Sequence, residues 1–424
     1  MNAITVNTAG PPAFPGRAVA RALVNAALAI AVFLGGFVIF EPAPYELLLS
    51  AMLGLSLLFG LRIPLVVTPL LLLLALFNFG GIISSFQVPD WEGGLIYVAI
   101  SFFLALTSVF FAILIMHDMA RLRLIFRSYV AAAVITSLLG IAGYLHLTPG
   151  LELFTRYSRA MGAFQDPNVF GPFLVPAMLY VIYGLVNRSA SLMPFRTAIL
   201  LILLVGTFLS FSRAAWGLTA LSIILFYALL IINEQQAKIR LKYISLAIMG
   251  VLVTVILLAA MTQADIVSDL LDQRLKLVQD YDGGRHGRFA RHIQGYLLAL
   301  EKPFGIGPLK FGHIFGEDTH NNFVKSLMDY GWIGFISWVT LMGITLAAGF
   351  KLLFRQRPWL AYYQIAYVTY FGHHVIGNVI DTDHWRHFYL LTGIIWGCMG
   401  LEYRWQRSRR PAETSYTTRL SPIT

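Results

Sequence analysis

The sequence predicts an all-α integral membrane protein of about twelve (ten to twelve) transmembrane helices, with a long periplasmic loop containing short surface helices. Three observations predict it. The chain is 58% hydrophobic and 12% charged, with a mean hydropathy of +0.71, which leaves too little polar surface to cover a soluble core of this size. Its apolar runs recur at roughly the length that crosses ~30 Å of hydrocarbon. When the loops are assigned to alternate sides from a basic amino end, nineteen of the thirty-one Lys and Arg fall inside, against four of the twenty-one acids, as the positive-inside bias requires.

Taken in order, the apolar segments are residues 22–40, 45–60, 63–86, 95–116, 125–147, 168–186, 198–210, 214–232, 243–261, 321–350, 358–378 and 388–402. Arg17 and Arg21 precede the first segment, which has no small-residue cleavage pattern and reads as a retained helix. The turns assigned inside carry Arg62; Arg121, Arg123 and Arg127; Arg188 and Arg196; Lys238, Arg240 and Lys242; and Lys351, Arg355 and Arg357. The tail with Arg404, Arg407, Arg409 and Arg410 also lies inside, so both termini are expected in the cytoplasm. The whole chain, residues 1–424, reads as one polytopic membrane domain. Three outer connections are longer than a turn: residues 148–167, 262–319 and 379–387. The loop 262–319 holds amphipathic stretches at 266–278 and 288–300 around Asp282-Gly283-Gly284, the pattern of short helices at a membrane surface.

Charge and cysteine usage exclude several classes. The net charge of +10 and pI near 9.7 would suggest nucleic acid in a soluble protein, but here the inside bias accounts for most of the excess, so no nucleic-acid partner is expected. The single cysteine, Cys398, allows no disulfide within the chain and no CxxC metal site. Gly305-Ile306-Gly307-Pro308 follows no strand and precedes no Lys-Ser/Thr pair, so its glycines serve the backbone rather than a phosphate.

The twelve cations left outside are the informative ones. Arg159 sits in Ser158-Arg159-Ala160-Met161-Gly162, just before Asp166-Pro167-Asn168. Arg213 starts an apolar span in Phe211-Ser212-Arg213. Arg285, Arg288 and Arg291 form a third cluster. A guanidinium grips a phosphate in two places, and burying one at a span's end is costly without a partner; snorkelling is the alternative for any one of them. His320-Asn321, followed by Gly331 and Gly334, is expected to open a helix with Thr319 as N-cap, placing His320 in the first turn on the face of Gly331. There it would meet a hydrophilic substrate, or simply hydrogen-bond a loop at headgroup level. In the last loop, which also carries Arg386, Asp381-x-Asp383 with His384 would salt-bridge and position the outer arginines, or could instead take a divalent metal through oxygens. His373 and His374, adjacent on a helix, read as structural.

In this order, Arg159 with Gly162 and Asp166-Pro167-Asn168, then Ser212-Arg213, then Arg288 through Gly307, then His320-Asn321-x9-Gly331-x-x-Gly334, the chain resembles the O-antigen ligase and polysaccharide polymerase superfamily. The last motif is the most specific; the first five helices match by hydropathy alone. Where the family's loop has Trp a few residues after Arg, this chain has Arg291-His292. The resemblance implies a bacterial inner-membrane glycosyltransferase. It would move an oligo- or polysaccharide from undecaprenyl diphosphate to an acceptor hydroxyl, either a glycan, as a polymerase does, or lipid A core, as a ligase does. It implies Arg159, Arg213 and Arg288 on the diphosphate, His320 as general base, and Asn321, Arg285, Arg291, Asp381, Asp383 and Arg386 in support. No metal or soluble cofactor is implied; the partners are the lipid-linked saccharide, the acceptor, the bilayer and other polysaccharide-assembly proteins. A polytopic transporter of an anionic substrate is the alternative from another class, although transporters place their charges nearer the midplane.

Overall fold

The computed structural model describes residues 15–187, 190–261 and 287–409. Within them the chain is helical, save for one two-stranded hairpin. Nine helices precede the long loop: α1 (Pro15–Leu34), α2 (Pro44–Leu58), α3 (Thr68–Ser85), α4 (Glu92–His117), α5 (Ala120–Tyr144), α6 (Pro167–Asn187), α7 (Met193–Leu209), α8 (Arg213–Asn233) and α9 (Ala237–Met261). After it come α10 (Arg288–Glu301), α11 (Phe311–Phe315), α12 (Asn322–Phe350), α13 (Leu360–Ile376) and α14 (Arg386–Arg409). Each of the twelve apolar segments read from the sequence coincides with one of α1 to α9 or α12 to α14. Among the described residues, seven helices are long and apolar enough to cross a membrane, and three shorter apolar helices fall in α1, α2 and α7. The amphipathic stretch at 266–278, the Asp282-Gly283-Gly284 turn, Arg188, Arg285 and Arg410 lie outside the described residues.

Local chemistry explains where these helices begin. Pro44 occupies the first turn of α2, and Glu46 reaches back to accept from the Ala43 amide at 2.6 Å, satisfying a donor that the helix leaves open. Ser212 caps α8, accepting from the Ala215 amide, and Asn321 caps α12, accepting from Phe323 and Val324. Each such cap contributes about 1 kcal/mol. α6 tolerates Pro172 and Pro176 inside it, as membrane helices do when neighbours serve the disturbed carbonyls; the Tyr129 hydroxyl donates to the Phe173 carbonyl there at 2.7 Å.

The helices pack α3 on α4 and α12, α4 on α14, α1 on α5, and α6 on α7 and α8, with α13 on α8. Small residues permit the closest approaches. A Cβ on Gly80 would lie 2.7 Å from the Gly334 amide, and one on Gly372 would lie 2.4 Å from Leu218. The second contact fixes polarity: the start of α8 lies beside the end of α13, while at the other extremity Asn233 donates to the Leu353 carbonyl. Asp118 pairs with Arg21, and Glu402 with Arg355 and Arg357, among residues assigned inside. Lys310 with Asp90, and Arg386 with Glu41, join residues assigned outside.

α12 departs from expectation. It is not one continuous helix: Gly331 has φ 62° and ψ −173°, which breaks it into two rods. Eleven residues therefore do not place His320 and Gly331 on one face. Gly331 serves the backbone, since Pro303 and Phe304 press on it within 3.0 Å of where a Cβ would be and Trp332 donates its amide to the Pro303 carbonyl. Gly305, at φ 83°, is likewise a necessity of close approach, with the Met328 carbonyl 2.6 Å from its missing Cβ.

Candidate active site

The connection from α5 to α6 folds back as a hairpin, β1 (Thr155–Arg156) against β2 (Arg159–Ala160), with Arg156 opposite Arg159. Its turn residues Tyr157 and Ser158 both have φ 54°. The hairpin turns Arg159 inward, where it is 6% exposed. Its Nε donates to the Ser210 carbonyl at the end of α7, and its terminal nitrogen donates to Asn168 Oδ1 in the first turn of α6. Asp166 in turn caps α6 through the Asn168 amide. Arg159 thus ties the start of α6 to the α7–α8 turn, and Arg213 is the first residue of α8 on that turn. Two helix N-termini and two guanidinium groups share this corner, an arrangement that favours an anion.

His320 lies at the same end, joined to it through α13 and α8. It is not in the first turn of α12, and Thr319 is not the cap; Asn321 is. His320 precedes the helix with φ 47°, a left-handed conformation that costs a non-glycine residue ~1–2 kcal/mol and that surrounding contacts must hold. Asp381 supplies them. Its Oδ1 accepts from the Thr319 hydroxyl and the Asn321 amide, both at 3.0 Å, and the Asn321 side chain donates to the Asn378 carbonyl. The imidazole, one third exposed, sits between two carboxylates: Nδ1 is 3.9 Å from Asp381 Oδ2 and Nε2 is 3.7 Å from Glu317 Oε1.

α10 closes the site from the loop side. Arg288 begins it, and His292 lies one turn on, buried, with Nε2 2.8 Å from the Thr319 carbonyl. That bond needs a proton on Nε2, and burial pushes the His292 pKa down, away from the doubly protonated form. Arg291 pairs with Glu317. Arg291-His292 is therefore a brace for the His320 segment. Gly295 lets α10 rest on α12, with Val324 2.5 Å from its missing Cβ.

The last loop requires a correction. Asp381 and Asp383 were expected to neutralise the outer arginines; instead Asp381 holds the residues around His320, and Asp383 Oδ2 accepts from the Tyr97 hydroxyl at 2.6 Å and meets His384 Nδ1 at 2.9 Å. Burial pushes the Asp383 carboxyl up, but His384, Lys325 and the Tyr97 hydroxyl outweigh it and hold the group below the usual carboxylate range. Arg386 is drawn to Glu41 at 3.0 Å and to Glu46, tying α14 to the α1–α2 connection rather than serving the arginines or His320. His373 bonds the Thr369 carbonyl and His387 inside the bundle. Among the described residues, no three His, Cys, Asp or Glu side chains are grouped to hold a metal ion.

Sequence reasoning missed Glu317, His292's role and a buried ion pair, Lys325 with Asp329. The last had a signal: Lys and Asp four apart in an apolar segment are neighbours on a helix.

These features define a multi-pass all-α membrane protein with cations, an imidazole and carboxylates gathered at one end of its bundle. Residues 198–339, about a third of the chain, match the family model described as O-Antigen ligase. The match bears out the resemblance to the O-antigen ligase and polysaccharide polymerase superfamily, and it includes Arg213, Arg288 and His320. No curated protein and no solved structure matches the chain.

Proposed function

We propose that this protein transfers an oligo- or polysaccharide from undecaprenyl diphosphate to an acceptor hydroxyl at the periplasmic face of the inner membrane, as a polysaccharide polymerase whose acceptor is another lipid-linked glycan. All twelve apolar helices would cross the membrane, with both termini in the cytoplasm and residues 262–319 outside. The bond from the sugar's anomeric carbon to the diphosphate oxygen breaks, a bond to the acceptor oxygen forms, and the hydroxyl proton passes to His320. Arg159, Arg213 and Arg288 would stabilise the negative charge gathering on the leaving diphosphate. His320 would accept the proton as a neutral imidazole, oriented by Asp381. The observation that carries this reading is His320 held in a strained conformation between two carboxylates, at the same end as the buried Arg159 and the α8 start with Arg213.

A second reading, transfer of finished polymer to lipid A core, is supported by the description of the matching family as O-Antigen ligase. The glycan profile of a deletion strain separates the two. Loss of long polymer with single repeat units still delivered to lipid A core supports the polymerase; polymer accumulating on its lipid carrier supports the ligase. Transport of an anion is disfavoured because the arginines and His320 gather at one end of the bundle, and the two charges beside the break in α12, Lys325 and Asp329, are paired with each other.

A further inference from the structure

α12 carries two charged side chains inside the bundle. Lys325 Nζ lies 2.9 Å from Asp329 Oδ2, one helical turn on, and the two side chains are 5% and 1% exposed. Neither residue has a part in the transfer step just described. Stability does not account for them, because a buried ion pair gains little or nothing over apolar side chains of similar volume. Charges kept in a membrane helix mark a site or a pathway.

Their surroundings lead to His320. The Lys325 ammonium lies 5.3 Å from the centre of the Tyr97 ring, whose hydroxyl donates to Asp383, itself bonded to His384. Besides Asp329, the carboxylates acting on this ammonium are Asp383, Asp381 and Asp318. His320 is faced by Asp381 from the last loop and by Glu317 from its own segment. His292 and Arg288 stand nearby on α10, and Arg291 is bound to Glu317. Asp381 thus faces His320 and grips the Asn321 amide, and Lys325 stands one helical turn on from Asn321, its own amide donating to the Asn321 carbonyl at 2.8 Å. Burial, with Asp383 and Asp318, leaves the Asp381 carboxyl above the usual carboxylate range, and Lys325, ahead of His320, is the largest charge that opposes this rise.

We propose that Lys325 is a positioning residue for the transfer reaction: its fixed ammonium keeps Asp381 ionised against His320, and Asp329 anchors that ammonium and tempers its field. The inference rests on His320 acting as the base. Its sign can be worked out without assigning the proton. Asp381 and His320 lie 3.9 Å apart, so removing a nearby cation makes both bind a proton more tightly. The last proton then leaves the pair at higher pH, whichever group holds it. Removing the Asp329 charge acts in the opposite direction.

The test uses purified full-length protein and lipid-linked donor, with pH–activity profiles for the wild type, Lys325→Met, Lys325→Arg and Asp329→Asn. Carbethoxylation of His320 by diethyl pyrocarbonate, read by peptide mass spectrometry against pH, gives a second midpoint that does not require turnover. Both midpoints should rise by about half a pH unit or more in Lys325→Met, stay in place in Lys325→Arg and fall in Asp329→Asn. Reduced amplitude with unmoved midpoints would overturn the proposal and leave the pair a structural element. Carbethoxylation midpoints that move as stated, together with undiminished activity in His320→Ala, would uphold the electrostatic link and overturn the base reading instead.

Discussion

Asp381 grips the chain on both sides of His320: one carboxylate oxygen accepts from the Thr319 hydroxyl and the Asn321 amide, while the other faces the imidazole Nδ1 at 3.9 Å. The carboxylate therefore sets both the backbone conformation of His320 and the charge beside its ring. Asp381→Ala should free the segment and lower product formation by ~10–10², the scale of a small misplacement of a reacting group. Asp381→Asn should retain part of this, since an amide oxygen can still accept both bonds. Equal activity of Asp381→Ala and wild type, at matched protein levels, would remove Asp381 from the site.

His320 itself is tested by separating binding from chemistry. His320→Ala should bind lipid-linked donor nearly as well as wild type while turnover falls by ~10²–10⁴, the scale of lost acid–base catalysis. Wild-type activity should rise with pH across the range where imidazoles lose their proton, and EDTA should leave it unchanged. Inhibition by EDTA together with an active His320→Ala would transfer the chemistry to a metal at Asp381 and Asp383.

The guanidinium groups make a different prediction. Arg213→Ala or Arg159→Ala should abolish or strongly reduce transfer, and Arg213→Lys should restore little, because an ammonium lacks the planar fork. Arg159 also bonds Ser210 and Asn168, so its variants should melt earlier in detergent, and thermal unfolding must accompany the assay. Normal transfer by Arg213→Ala would exclude it from the anion site.

At Gly331 the backbone lies in a region that side chains avoid, and backbone atoms of Pro303 and Phe304 fill the place of a Cβ. Gly331→Ala should cost at least ~1–3 kcal/mol, seen as a lowered melting temperature in detergent. An unchanged melting temperature would mean that α12 can run straight through this point.

Orientation can be checked by thiol labelling in intact cells with a permeable outer membrane, since the single native cysteine, Cys398, is buried. Cysteine at Gly93, exposed with no atom near its missing Cβ, should react with a membrane-impermeant reagent. Cysteine at Gln236 should not. The reverse pattern would invert the assignment of the two ends.

How far the sequence reached can be followed residue by residue. The apolar segments, the helix starting at Arg288 and the gathering of Arg159, Arg213 and His320 at one end of the bundle were legible because each follows from local composition and charge. The hairpin behind Arg159 was not, since it depends on positive φ at Tyr157 and Ser158, residues with no turn preference of the kind glycine or asparagine shows. The break at Gly331 was hidden for a similar reason: spacing counts assume an unbroken helix, and only the pressure of the 303–305 turn decides otherwise.

By itself, then, the sequence determined a helical membrane protein with arginines and an imidazole at one end of its bundle, because the length of apolar segments and the placing of basic residues between them are properties of composition. Tertiary structure alone decided which partner each charged group took. Asp381 lies sixty or more residues from Thr319 and Asn321, and Asp383 nearly three hundred from Tyr97, and a carboxylate can accept from an arginine, a histidine, a hydroxyl or an amide. The start of α12 bonded to the end of α13, Asn322 amide to Gly377 carbonyl at 2.7 Å, and the packing of α4 against α14 brought the hydroxyl, the amide and the imidazole within reach instead of the arginines.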